Sequence, residues 1–181
     1  MGFTIETSDA NGFTALLHAV ARSDLSTIKA LVERYKANIL KIDNIGRTAL
    51  MLAAGPHLAM ITCKAQECSL EKKPLSLWGS SHLGVVKYLI DQGCPVNAVD
   101  HRGNTALMYA ALAGRGDVVE YLVQKGADIN KKNSENKTAL DLARQTRNVD
   151  IITFISNPIA HAGLLLKSKT TNPYSSMFSF D

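Results

Sequence analysis

Short apolar runs alternate with polar turns along this chain, and the runs come in pairs. The first run of each pair is built on small residues. Residues 15–21 read Ala-Leu-Leu-His-Ala-Val-Ala, and residues 49–54, 106–113 and 139–143 repeat the idiom. The second run carries more β-branched residues: Thr27-Ile28-Lys29-Ala30-Leu31-Val32, Val85-Val86-Lys87-Tyr88-Leu89-Ile90, Val118-Val119-Glu120-Tyr121-Leu122-Val123 and Ile151-Ile152-Thr153-Phe154-Ile155. Taken singly these runs suit strands. Their period and their stops predict helices instead. Gly93 and Gly126 stand where a helix needs a left-handed cap, and Pro95-Val96-Asn97 and Asp128-Ile129-Asn130 then lead into the next turn.

Each first run opens on Thr-Ala-Leu, at Thr14, Thr48, Thr105 and Thr138, with spacings of 34, 57 and 33 residues. A near-constant period in this range marks a stacked repeat array. The long spacing is one period plus about 24 residues. Each Thr is predicted to cap a helix, its hydroxyl accepting from a free backbone N–H. The segment before it is turn chemistry: Asp9, Asp43 and Asp100 as turn-formers, then Gly12, Gly46 and Gly103 at positions predicted to need positive φ. The fourth unit places Asn136 in that slot, the residue that tolerates it next best.

These openings, the Ala53-Ala54 and Ala110-Ala111 pairs, and Gly-Ala-Asp-Ile-Asn at 126–130 together resemble the ankyrin repeat. The likeness covers about residues 9–157 and omits an interruption at about residues 55–80. It implies an all-α solenoid of helix-turn-helix units with short β-turn tips. The units would be 9–42, 43–99, 100–132 and 133–157. The family usually has Pro where Ala15, Ala49, Ala106 and Ala139 stand, a benign change because Ala favours helix. It usually has His where Leu17, Met51, Met108 and Asp141 stand, so a polar link between neighbouring turns is lost. Residues 1–8 read as the remnant of an N-terminal cap, with Ile5 in the slot of Val96 and Ile129. Residues 158–167 are expected to form a capping helix and 168–181 a mobile tail, with a short helix near 58–68 in the interruption.

Composition narrows the function classes. Apolar residues at 46% support a sizeable core, and a net charge of +4 without a long Lys/Arg run does not point to nucleic acid. No stretch approaches the ~18 apolar residues of a membrane span. Cys63, Cys68 and Cys94 are too few for a disulfide scaffold and suggest a reducing, cytoplasmic setting; a monomer is expected. His57, Cys63, Cys68 and His82 are the candidate metal ligands, but the gap between the cysteines is wide and no second pair exists. No phosphate loop, nucleophile elbow or zincin helix is present. The expectation is a non-catalytic protein without metal or cofactor.

The resemblance implies binding of a partner protein through a concave face and the turn tips. The outward tip positions are Phe13, Asn44, Ile45, Arg47, His101, Arg102, Asn104, Glu135 and Lys137, joined by Arg22, Leu112 and Gln145 from the first helices. Arg47, Arg102 and Lys137 favour an acidic partner segment. Trp78, the single tryptophan, adds an anchor within the interruption. The alternative expectation makes that interruption, with Trp78, Cys63 and Cys68, the working interface or a metal site on a repeat scaffold. Ankyrin-like arrays also occur in bacterial effectors delivered to host cytoplasm.

Overall fold

The computed structural model describes residues 5–55 and 81–157. Within them lie α1 (Ala15–Ala21), α2 (Leu25–Glu33), α3 (Ala49–Ala54), α4 (Ser81–Asp91), α5 (Ala106–Leu112), α6 (Gly116–Gln124), α7 (Ala139–Gln145) and α8 (Val149–Ser156). The β-branched runs are helical, as their period predicts. Among the described residues the extended pairing is a lone antiparallel bridge between Ile42 and Thr48.

The helix starts follow from the Thr residues. Thr14, Thr48, Thr105 and Thr138 each sit in extended backbone and accept, through Oγ1, from the N–H three residues on. Thr138 goes further: its own N–H donates to Asp141 Oδ2 at 3.0 Å, closing a capping box. In the outer helices Asp24 and Asn148 do the same work with their side chains. α7 runs to Gln145, beyond the expected residue 143, and α5 stops at Leu112.

The turns are equally regular. Asp43 Oδ1 accepts from the N–H groups of Ile45 and Arg47 at 3.0 and 2.9 Å, and Asp9, Asp100 and Asn133 repeat this double bond. Gly46 carries φ +86°, and a Cβ there would stand 2.9 Å from the His101 backbone nitrogen. Both its conformation and the neighbouring tip therefore require glycine. Asn136 adopts φ 59° in the matching slot.

Stacking follows a two-layer plan. α1, α3, α5 and α7 pack in sequence to form an inner layer, and α2, α4, α6 and α8 form the outer one. Leu16, Leu50 and Leu107 fill the inner layer with Ala53 and Ala110 beside them, while Val86, Leu89, Val119 and Leu122 face them from the outer layer. Small residues let the inner helices approach closely, so the core is a continuous seam. Ile5, Val96 and Ile129 all pack half-buried against it. The tips are tied in series: Asn44 N–H donates to Asn11 C=O at 3.1 Å, His101 to Ile45 at 3.0 Å and Ser134 to Arg102 at 2.8 Å.

α3 closes at Ala54 and α4 opens at Ser81, so the irregular spacing falls between the helices of the second pair. The expected helix at 58–68, with His57, Cys63, Cys68 and Trp78, lies outside the described residues, as do the expected capping helix and tail beyond residue 157.

Candidate functional site

Stacking the tips beside the inner helices leaves an open groove of ≈ 470 Å³ across the second, third and fourth pairs. Its wall on the tip side carries Ile45, Arg102 and Glu135, which share one register, and Arg47, Asn104 and Lys137, which share another. The helix side contributes Tyr109 and Leu142, then Leu112 and Gln145. Ile45 and Leu112 are 43% and 40% exposed, so two aliphatic side chains are offered to an occupant.

A hydrogen-bonded floor runs along the groove. Tyr109 Oη donates to Asp100 Oδ2 at 2.7 Å, Asn104 Nδ2 donates to the same oxygen at 3.0 Å, and Asn133 Nδ2 donates to Asn104 Oδ1 at 2.8 Å. Burial alone would raise the Asp100 carboxyl. The bonds from Asn104, Tyr109 and the backbone N–H groups outweigh it and hold the group below its ordinary 3.8. Burial, and the bond to Asp100, push the Tyr109 phenol up.

A carboxyl depressed in the folded state stabilises the fold above its ordinary pKa, and loses that effect as pH falls through the folded value. Asp100→Asn should therefore cost about 1.5 kcal/mol at neutral pH, the loss of charge-assisted hydrogen bonds. The gap from the parent should narrow as pH drops below about 4. Urea unfolding between pH 2.5 and 7 reads this, and a gap constant with pH would refute the assignment.

The groove gathers Ile45, Arg47, Arg102, Asn104, Leu112, Glu135, Lys137 and Gln145, as the register predicts. Other expectations need correction. Phe13 is not an outward tip residue: it is 5% exposed, packed against the His18 ring at 5.2 Å with the Arg47 guanidinium 5.8 Å above it. Arg47 reaches the groove lining but is 4% exposed, because its guanidinium turns onto Asp43 Oδ2 at 2.7 Å. Arg22 is exposed but stands one residue past the register of Leu112 and Gln145, as the C-cap of α1, and does not line the groove. Asn44 and His101 are exposed yet lie over the preceding tip, with Asn44 Nδ2 donating to Ala10 C=O at 2.8 Å. The lining residues Asp100, Tyr109, Asn133 and Leu142 were not among the expected ones. Tyr109 shares its register with Leu52 and Leu142 and with His18, which bonds Asp9 as Tyr109 bonds Asp100.

The charges partly cancel. Arg47 is paired with Asp43, and Lys137 with Glu135 at 2.7 Å. Arg102 is exposed and makes no ion pair among the described residues.

A family model described as ankyrin repeats in three copies matches residues 57–133 and 75–163, and a single ankyrin-repeat model matches residues 11–44. The chain belongs to the ankyrin-repeat family. Ankyrin repeats are in general protein–protein interaction modules and are typically non-catalytic. In this ankyrin-repeat chain no helix among the described residues is long and apolar enough to cross a membrane. No cluster of three or more metal-binding side chains occurs among them either. Cys94 is buried, and burial pushes its thiol up to about 11, so it is held as the neutral thiol.

Proposed function

We propose that this array is a protein-recognition module that takes an extended partner segment in the groove formed by α5, α7 and the tips. The observation that carries the reading is the pairing, in one groove, of two exposed aliphatic side chains with an exposed cation that makes no ion pair among the described residues. Ile45 and Leu112 supply apolar contact, and Arg102 selects an acidic residue on the partner. Four repeats at 9–42, 43–99, 100–132 and 133–157, the second interrupted, form the scaffold. The four Thr-capped helix pairs support this division. The stack holds the groove in shape before binding, which lowers the ordering cost. The reading needs no catalytic group and places the protein in the cytoplasm as a monomer.

The test begins with a photo-crosslinking residue at Leu112 in the native cell, which identifies the partner. Affinities are then measured for Arg102→Glu and for Arg22→Glu, a reversal outside the groove. Arg102→Glu should weaken binding at least tenfold, about 1.4 kcal/mol, and Arg22→Glu should not. Equal affinities for the two variants would sink the proposal.

A further inference from the structure

The tips impose a spacing on whatever lies in the inner groove. Each is joined to the next by a backbone bond: Ile45 C=O accepts from His101 N–H at 3.0 Å, and Arg102 C=O accepts from Ser134 N–H at 2.8 Å. The tip wall therefore presents Ile45, then Arg102, then Glu135, one side chain per repeat. The helices behind these tips pack in sequence. Side chains of one register accordingly stand about 8–10 Å apart, the spacing of packed helices.

The chemistry changes at every step. Ile45 is aliphatic, and Arg102 is an exposed cation that makes no ion pair among the described residues. Lys137 Nζ donates to Glu135 Oε2 at 2.7 Å, which leaves Oε1 to an occupant. That bond holds the Glu135 carboxyl below its ordinary 4.5, with the Arg102 charge adding to it, so the group is ionised at neutral pH. The floor offers an occupant little, because Tyr109, Asp100, Asn104 and Asn133 are bonded to one another.

Two extended conformations differ in how they fit this spacing. A β-strand places side chains of one face two residues apart, about 6.6 Å, and falls out of step with the repeats. A polyproline II segment has three residues per turn and a rise of about 3.1 Å, so residues i, i+3 and i+6 form one ridge with steps of about 9.3 Å. That step matches the array.

We propose that the segment received by this groove is a polyproline II stretch carrying an apolar residue, a carboxylate and a basic residue at intervals of three, set against Ile45, Arg102 and Glu135 in that order. The inference rests on the protein-recognition reading and adds the sequence pattern that the groove selects. A second ridge of the segment meets Leu112. Gln145, exposed one repeat further on in the register of Leu112, donates to a backbone carbonyl, which polyproline II leaves without an internal bond. The ridge is the same for either chain direction, so both directions enter the test.

The probes are acetylated, amidated peptides titrated into the full chain labelled with nitrogen-15: Leu-Pro-Pro-Asp-Pro-Pro-Lys and its reverse, Lys-Pro-Pro-Asp-Pro-Pro-Leu. One of the two should shift the amides of residues 44–46, 101–103 and 134–136. Moving its Asp by one place should weaken binding about tenfold or more, the loss of a placed charge contact. The double variant Arg102→Glu, Glu135→Arg should reject that peptide and bind the form with Asp and Lys exchanged. Both side chains are exposed, so thermal unfolding should stay in place. Equal binding of the peptide with the moved Asp, no exchange of preference in the double variant, or no shift with either direction would overturn the inference. The recognition reading would survive those results, since it is tested on the partner captured at Leu112. An unchanged affinity of that captured partner for Arg102→Glu would overturn both.

Discussion

Arg47→Ala should lose about 3 kcal/mol of folding stability, the largest effect expected of any single charge removal in this chain. The Arg47 and Asp43 side chains are 5% and 1% exposed, and both Nε and Nη2 reach Asp43 Oδ2 at 2.7 Å. Oδ1 of the same carboxylate is already used by two backbone N–H groups. Removing the guanidinium leaves Oδ2 buried with a full charge and no donor. Arg47→Lys keeps the charge but loses the fork, so it should fall between. Paired replacement, Asp43→Asn with Arg47→Gln, should recover part of the loss, because no buried charge then remains. Urea unfolding followed by circular dichroism gives all four numbers. A change below about 0.5 kcal/mol for Arg47→Ala would show that the pair contributes no more than a surface contact. One practical consequence is that charge reversal at Arg47 cannot report on partner binding, since the fold would fail first.

The second large effect concerns Arg115. In the first, third and fourth pairs one inner-helix carbonyl in a common register accepts from the backbone N–H that precedes the outer helix: Asp24 to Ala19, Arg115 to Ala110, Asn148 to Ala143. In the second pair the carbonyl in that register belongs to Ala53, and it accepts from Arg115 Nη1 at 2.7 Å. A side chain of the third pair thus serves the carbonyl next to the interruption. Burial pulls the guanidinium down to about 10, partly opposed by Asp117, so it remains charged near neutrality. Arg115→Ala should cost about 2 kcal/mol by orphaning a buried carbonyl. Hydrogen exchange should accelerate in α3 far more than in α7. Uniform acceleration across both helices would argue against this assignment.

Much of this could be read from residue order. The Thr caps, the doubly bonded Asp turns and the left-handed glycines are short-range devices, and short-range chemistry shows in sequence. The groove lining was legible for the same reason, since a register defined by Thr carries Ile45, Arg102 and Glu135 to one wall. What failed depends on neighbours. Phe13 and Arg47 share a register with Asn104 and Lys137, yet they turn inward because Arg47 finds Asp43 and Phe13 finds the Arg47 guanidinium. No single repeat shows that. Arg22 misses the groove by one position, standing eight residues after Thr14 where Leu112 and Gln145 stand seven after Thr105 and Thr138. The Tyr109 bond is a contact of the folded turn: its acceptor Asp100 lies nine residues back, and two of the four repeats, with Leu52 and Leu142 at that position, have no side-chain donor there.

The uneven spacing also shapes how the molecule should assemble. Between α5 and α6 the chain needs only residues 113–115 to bring paired helices together, whereas between α3 and α4 it runs through residues 55–80. By chain length alone that longer closure costs about 2 kcal/mol more in entropy. In an array where each pair touches only its neighbours, folding nucleates where closure is cheapest and spreads by contact. The third and fourth pairs are therefore expected to form the nucleus. α3 would then dock onto an existing surface, with Arg115 already in place to receive the Ala53 carbonyl.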